Sequence, residues 1–207
     1  LEVQRHARKG RDIILIGHKG HPEVIGTLGR HPADSDTTIY LIEDYEDIEK
    51  LKINSSDIAY VTQTTLSVDE TKGLIEALKI KYPQIIGPSA DDICYATQNR
   101  QDAVKQLSLE CEIVLVIGSK TSSNSNRLKE LAEKCGTKSF LIDDKSDINI
   151  NELKQAMSLG ITAGASAPEE IVQEVISFLY PLGYKTVRNL SENNESMTFK
   201  LPKELAD

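Results

Sequence analysis

Apolar residues in this chain fall into short continuous runs separated by stretches in which they recur at helical spacing. The runs are DIILIG (Asp12–Gly17), TTIYLI (Thr37–Ile42), IAYVTQ (Ile58–Gln63), a short QIIG (Gln84–Gly87), EIVLVIG (Glu112–Gly118), KSFLID (Lys138–Asp143) and LGITAG (Leu159–Gly164). Each reads as a strand. Between them DETKGLIEALKIKY, RQDAVKQLSL and EEIVQEVISFLY carry the helical period. Apolar strands alternating with helices predict an α/β fold, its small parallel sheets covered by helices on both faces.

The pattern repeats. ILIG-HKGHPEVIGTL and VLVIG-SKTSSNSNRL both read strand, glycine, polar loop, helix, and their glycines are Gly17 and Gly118. VTQTTLSVDE and ITAGASAPEE then repeat strand, hydroxyl-bearing loop and acidic helix start. Two similar α/β domains are expected, 1–90 and 91–183, dividing near Pro88–Asp92. Residues 184–207 have a different texture around SENNES and predict an arm or hairpin. The opening LEVQRHARKG has no initiator Met and reads as uncapped helix up to a stop at Gly10, as expected of a segment cut from something longer.

In parallel α/β sheets, ligands bind beyond the carboxyl ends of the strands, where loops enter helix N-termini. Four loops qualify: GHKGHPE, TQTTLS, GSKTSSNSN and GASAPEE. They hold His21, Glu23, Gln63, Thr64, Thr65, Ser122, Ser123, Asn124 and Ser166, and almost no Lys or Arg. Hydroxyls, amides and free backbone N–H groups at several helix starts can enclose a diphosphate without a basic patch. Capping alone also accounts for each loop taken singly. Pro22 suits a first helical turn with His21 as its cap, and Ser67-x-x-Glu70 and Ser166-x-x-Glu169 both match the capping box. TSSNSNRL is richer in hydroxyls and amides than one cap needs. His18 reads as packing or loop support.

Composition narrows the choice. The 207 residues carry a net charge of −8, which argues against a nucleic-acid footprint, so a bound phosphate must be held locally. No run approaches the roughly twenty apolar residues of a membrane span and no secretion signal is present, so the expected location is the cytoplasm. Cys94, Cys111 and Cys135 form no CxxC pair, and an odd count without a secretion signal is poor evidence for disulfides. On general grounds Cys94 reads as a buried thiol, and Cys111 and Cys135 as packing residues.

The segments IGHKGHPEVIGT, VTQTTLSVDET, GPSADDICYATQNRQ, IGSKTSSNSNRL and TAGASAPE closely resemble the 4-hydroxy-3-methylbut-2-enyl diphosphate reductase family, in the same order, from about Leu1 to Gly183. The resemblance implies an iron–sulfur enzyme of non-mevalonate isoprenoid biosynthesis, with three similar α/β domains around a [4Fe-4S] cluster held by three cysteines. The electron donor would be a protein of flavodoxin or ferredoxin type. Cys94 then matches one cluster ligand, Glu23 the proton-delivering acid, and Thr64 a partner hydrogen-bonding near the substrate hydroxyl. His21, Ser122, Ser123, Asn124 and Ser166 match the diphosphate pocket. The family's first domain, with its other two cluster cysteines and two more substrate-binding histidines, is expected upstream of Leu1, so the chain alone is expected to be inactive. A non-catalytic module binding a phosphorylated small molecule, and a purely structural partner domain, are the competing readings.

Overall fold

The computed structural model describes residues 2–88 and 93–190. The first half runs α1 (Glu2–Ala7), β1 (Asp12–Ile16), α2 (Pro22–Leu28), β2 (Ile39–Ile42), α3 (Tyr45–Lys50), β3 (Ile58–Thr62) and α4 (Val68–Lys81). The second runs α5 (Tyr95–Glu110), β4 (Ile113–Ile117), α6 (Ser123–Lys134), β5 (Lys138–Ile142), α7 (Ile150–Leu153), β6 (Leu159–Ala163) and α8 (Glu169–Leu179). Two parallel three-stranded sheets result, ordered β2-β1-β3 and β5-β4-β6.

The central strands are the most apolar because they are covered on both faces. In β1, Ile14 and Ile16 face a cluster with Leu74 and Leu78 of α4, while Ile13 and Leu15 face Val3 and Ala7 of α1 and Val24 of α2. In β4, Ile113, Leu115 and Ile117 meet Val175 and Leu179 of α8, while Val114 and Val116 meet Val104 of α5 and Leu128 of α6. Burying one such leucine stabilises the fold by about 1.5–3 kcal/mol. Helices as short as α2 depend on this docking, since isolated helices under about 12 residues are marginal in water.

Register brings the strand ends level. Ile16 pairs with Ile42 and Thr62, and Ile117 with Ile142 and Ala163. One further ladder bond then crosses each gap, Gly17 N to Ile42 O and Gln63 N to Ile16 O in the first sheet, Gly118 N to Ile142 O and Gly164 N to Ile117 O in the second. All four polar loops therefore leave from corresponding edges.

Several expectations need correction. QIIG is not a full strand: Ile86 makes a single parallel bridge to Ala59, and Pro88 has no N–H to extend the ladder. TTIYLI pairs only from Ile39, because Thr38 N donates instead to the Asp12 side chain at 2.7 Å. The Ser166 capping box does not form: the cap of α8 is Pro168, with no side-chain bond, whereas Ser67 does cap α4 by accepting from Glu70 N at 3.4 Å. The proposed arm lies mostly outside the described residues, as does most of the junction at Pro88–Asp92.

Candidate functional site

Glu23 sits in the first turn of α2, and Pro22 presets that turn. His21 caps the helix, its Nδ1 accepting from Glu23 N at 3.2 Å. The capping explanation is therefore correct for His21, but incomplete. Its other ring nitrogen, Nε2, lies 2.6 Å from Ser123 Oγ at the start of α6, so the same imidazole joins the loop edges of the two sheets.

The Glu23 carboxylate reaches the β3–α4 loop. Thr64 N donates to Oε1 at 2.9 Å and Thr64 Oγ1 donates to Oε2 at 3.1 Å, so both oxygens are held by one residue. Thr64 O in turn accepts from Cys94 N at 3.2 Å. Glu23, Thr64 and Cys94 thus form one connected series across three elements. Beside it, buried Gln63 accepts from His18 N at 3.0 Å and donates to Thr65 Oγ1 at 2.9 Å, which stiffens both loops.

Opposite lies the N-terminus of α6. Ser122 caps it, accepting from Ser125 N at 3.3 Å, and Ser125 Oγ donates to Ser122 Oγ at 3.1 Å. The helix start presses on the strand ends so closely that a Cβ at Gly118 or Gly164 would collide with Ser125 Oγ. Asn124 is buried, yet neither its Nδ2 nor its Oδ1 has a partner among the described residues. Leaving such a group unpaired costs about 1–3 kcal/mol, which marks it as a group in need of a ligand or water.

Of the residues singled out in the sequence, the structure brings His21 to Ser123, Glu23 to Thr64, and Thr64 to Cys94, and places Ser122 and Asn124 on the facing helix start. Ser166 is exposed on the β6–α8 loop and makes no hydrogen bond to the others among the described residues. The Cys94 thiol is exposed at the N-cap of α5 without a side-chain cap bond, so it is not the buried packing thiol that composition predicts. Cys135 is also exposed, and only Cys111, half-buried with its thiol pKa pushed up by burial, resembles a packing residue. His18 is not packing either. It is exposed, with Nε2 2.7 Å from Arg127 of α6 and Nδ1 3.8 Å from Glu43. Arg127, Ser125 and Gln101 escaped the sequence reading; a polar residue at a buried helical position was the signal for the last two.

Fold and site together define an α/β chain in which two repeated sheets present acid–base and neutral hydrogen-bonding loops toward one another. Residues 1–180 match the family model described as LytB protein. A 4-hydroxy-3-methylbut-2-enyl diphosphate reductase of Pseudomonas putida is 54% identical over 206 residues, which cover 99% of this chain and 65% of that protein. The one from Methylococcus capsulatus is 52% identical over 208 residues, 99% of this chain and 66% of that protein. A solved structure of the E-1-hydroxy-2-methyl-but-2-enyl-4-diphosphate reductase from Plasmodium falciparum has a TM-score of 0.89 at 34% identity, covering 98% of this chain and 64% of that one. A second, of (E)-4-hydroxy-3-methyl-but-2-enyl diphosphate reductase, has a TM-score of 0.51 at 28% identity over 87% of this chain and 64% of that one. The chain belongs to the LytB protein family. It spans about 65% of the length of the curated relatives it matches.

No helix among the described residues is long and apolar enough to cross a membrane. Nor do these residues contain a group of three or more His, Cys, Asp or Glu side chains placed to hold a metal ion.

Proposed function

We propose that the protein to which this chain belongs is a cytoplasmic 4-hydroxy-3-methylbut-2-enyl diphosphate reductase of isoprenoid biosynthesis. It removes the allylic hydroxyl with two electrons and two protons, releasing water and giving isopentenyl and dimethylallyl diphosphates. Residues 1–90 and 91–183 are two of its three α/β domains. The observation that carries this reading is the Glu23–Thr64 pair facing a helix start rich in hydroxyls and amides, the two walls joined through His21 and Ser123.

Cys94 suits one ligand of a [4Fe-4S] cluster, because its thiol is exposed and unpaired at the meeting point of the loops. The described residues alone do not make the metal site, and its remaining ligands belong to the third of the relatives' length that this chain does not match. When bound, the cluster supplies the electrons, which it receives from a flavodoxin- or ferredoxin-type protein.

The chain's own residues bind, orient and protonate. Ser122, Ser123, Asn124, His21 and Ser166 donate to diphosphate oxygens, with the α6 N-terminus adding its dipole. Asn124 gains there a partner that it lacks among the described residues. Glu23 delivers a proton to the reacting hydroxyl, and the Thr64 hydroxyl, which can accept as well as donate, links the two.

Anaerobic reconstitution of the full-length protein tests this. Cys94→Ser should lose the cluster and all turnover, whereas Cys111→Ser and Cys135→Ser should keep full iron content. Equal iron in Cys94→Ser and wild type would remove the ligand assignment, and full iron without turnover of the named substrate in wild type would favour a non-catalytic binding module.

A further inference from the structure

The loop that presents Thr64 is fastened to the helix that follows Cys94 by a buried side chain of that helix. Gln101 is 1% exposed. Its Nε2 donates to Leu66 O at 2.9 Å, and its Oε1 accepts from Val68 N at 3.0 Å. Val68 opens α4, so this N–H is one that the helix itself cannot satisfy. Together with the bond from Cys94 N to Thr64 O, the turn is held to α5 at both ends.

The placement is specific. Thr97, Gln101 and Val104 are the buried residues of α5, at spacings of four and three that form one face, and Gln101 is two turns beyond Cys94. An aliphatic residue would fill the same space without the desolvation a carboxamide requires. The carboxamide uses one N–H and its oxygen here, in a fixed plane, so the two bonds together restrict the orientation of the turn. The turn's orientation passes to Glu23, because Thr64 N and Oγ1 hold both oxygens of its carboxylate.

We propose that Gln101 is a positioning residue: by fixing the Thr64–Val68 turn on α5, it sets the distance and direction of Thr64 and Glu23 relative to Cys94. This rests on the reductase reading above, and it assigns to the core of α5 a part in the geometry of the reaction.

Gln101→Leu and Gln101→Glu in the full-length protein test it, with Glu23→Gln measured alongside. Kinetics are read well below each variant's melting temperature, using an artificial electron donor, and amide exchange is followed peptide by peptide. Gln101→Leu should lower kcat tenfold or more with KM changed less than about twofold, since Gln101 bonds to none of the residues assigned to the diphosphate. Gln101→Glu keeps the acceptor for Val68 N and, when ionised, lacks the donor to Leu66 O, so its kcat should fall between. Exchange should quicken at Thr64 and Cys94 while the β1 and β4 amides keep their protection. A lowered melting temperature with wild-type kcat, in whichever of the two variants folds, would make Gln101 a structural brace and overturn the proposal. Uniformly faster exchange would do the same. If Glu23→Gln also keeps wild-type kcat, the proton-donor reading fails independently; if only the Gln101 variants keep it, the positioning role fails alone.

Discussion

The two halves share a topology and present different side chains at corresponding edges. Each places its apolar central strand between two parallel neighbours and sends polar loops from corresponding ends. They even share a turn after the second strand: Glu43 N donates to Asp47 Oδ2 at 2.9 Å, and Asp143 N donates to Asp147 Oδ2 at 2.8 Å. Yet the first half brings to its edge an imidazole, a carboxylate and a threonine, while the second brings serines and a buried amide. Topology decides where a loop residue lands, and side-chain type decides what it does there. On the proposed reading most substrate-holding groups come from the second copy, joined by His21 of the first, and the proton-moving pair Glu23 and Thr64 comes from the first.

The widest separation should come from single substitutions on the two walls. Glu23→Gln should lower kcat by about 10²–10⁴-fold with KM little changed, the range for a positioned general acid. Asn124→Ala should instead raise KM roughly tenfold at near wild-type kcat, by losing one charge-assisted bond to phosphate. It should leave stability within about 1 kcal/mol, because it removes a buried group that has no partner among the described residues. Steady-state kinetics and thermal melts of both variants check this, and a kcat defect as large in Asn124→Ala would erase the division of labour.

Where the halves repeat, substitutions should match. Asp47→Ala and Asp147→Ala each remove the same acceptor and should each cost about 0.5–1.5 kcal/mol in denaturant unfolding. A difference above about 1 kcal/mol would mean that the two turns carry unequal weight despite their common geometry.

A smaller contrast separates the helices that precede the central strands. In the second half α5 buries Gln101 with both of its partners, whereas in the first α1 buries His6, whose ring nitrogens have none among the described residues. Burial, then Arg11 and Arg5, push the His6 pKa below its ordinary value of 6.5. The unfolded chain therefore binds the proton more readily, so His6 favours the fold above pH 6.5 and that contribution is lost as pH falls through 6.5 toward the lower folded value. Unfolding free energy should drop less between pH 7 and 5 in His6→Leu than in wild type; parallel curves would show that His6 finds a partner.

Much of this was legible in the sequence, for local reasons. The runs around Ile13 and Val114 name their strands because a central strand, covered on both faces, tolerates little that is polar. Ser67 announces a cap because its partner is only three residues on. The same rule misjudged Ser166, since the chain turns into α8 at Pro168 instead. Cys94 also misled, because residue type gives average burial, and this thiol lies at a helix start left open to solvent.

Hydrophobic periodicity and local turn chemistry determined the strands, most helices, the repeat and the four polar loops, because each depends on residues within a turn or two of one another. Only the tertiary structure decided that His21 meets Ser123, that Arg127 meets His18, and that Gln101 binds the turn after Thr64. Those partners lie between 33 and 109 residues apart. A side chain's own neighbourhood in sequence records whether it is buried; which group it meets there depends on how separately specified elements are brought together.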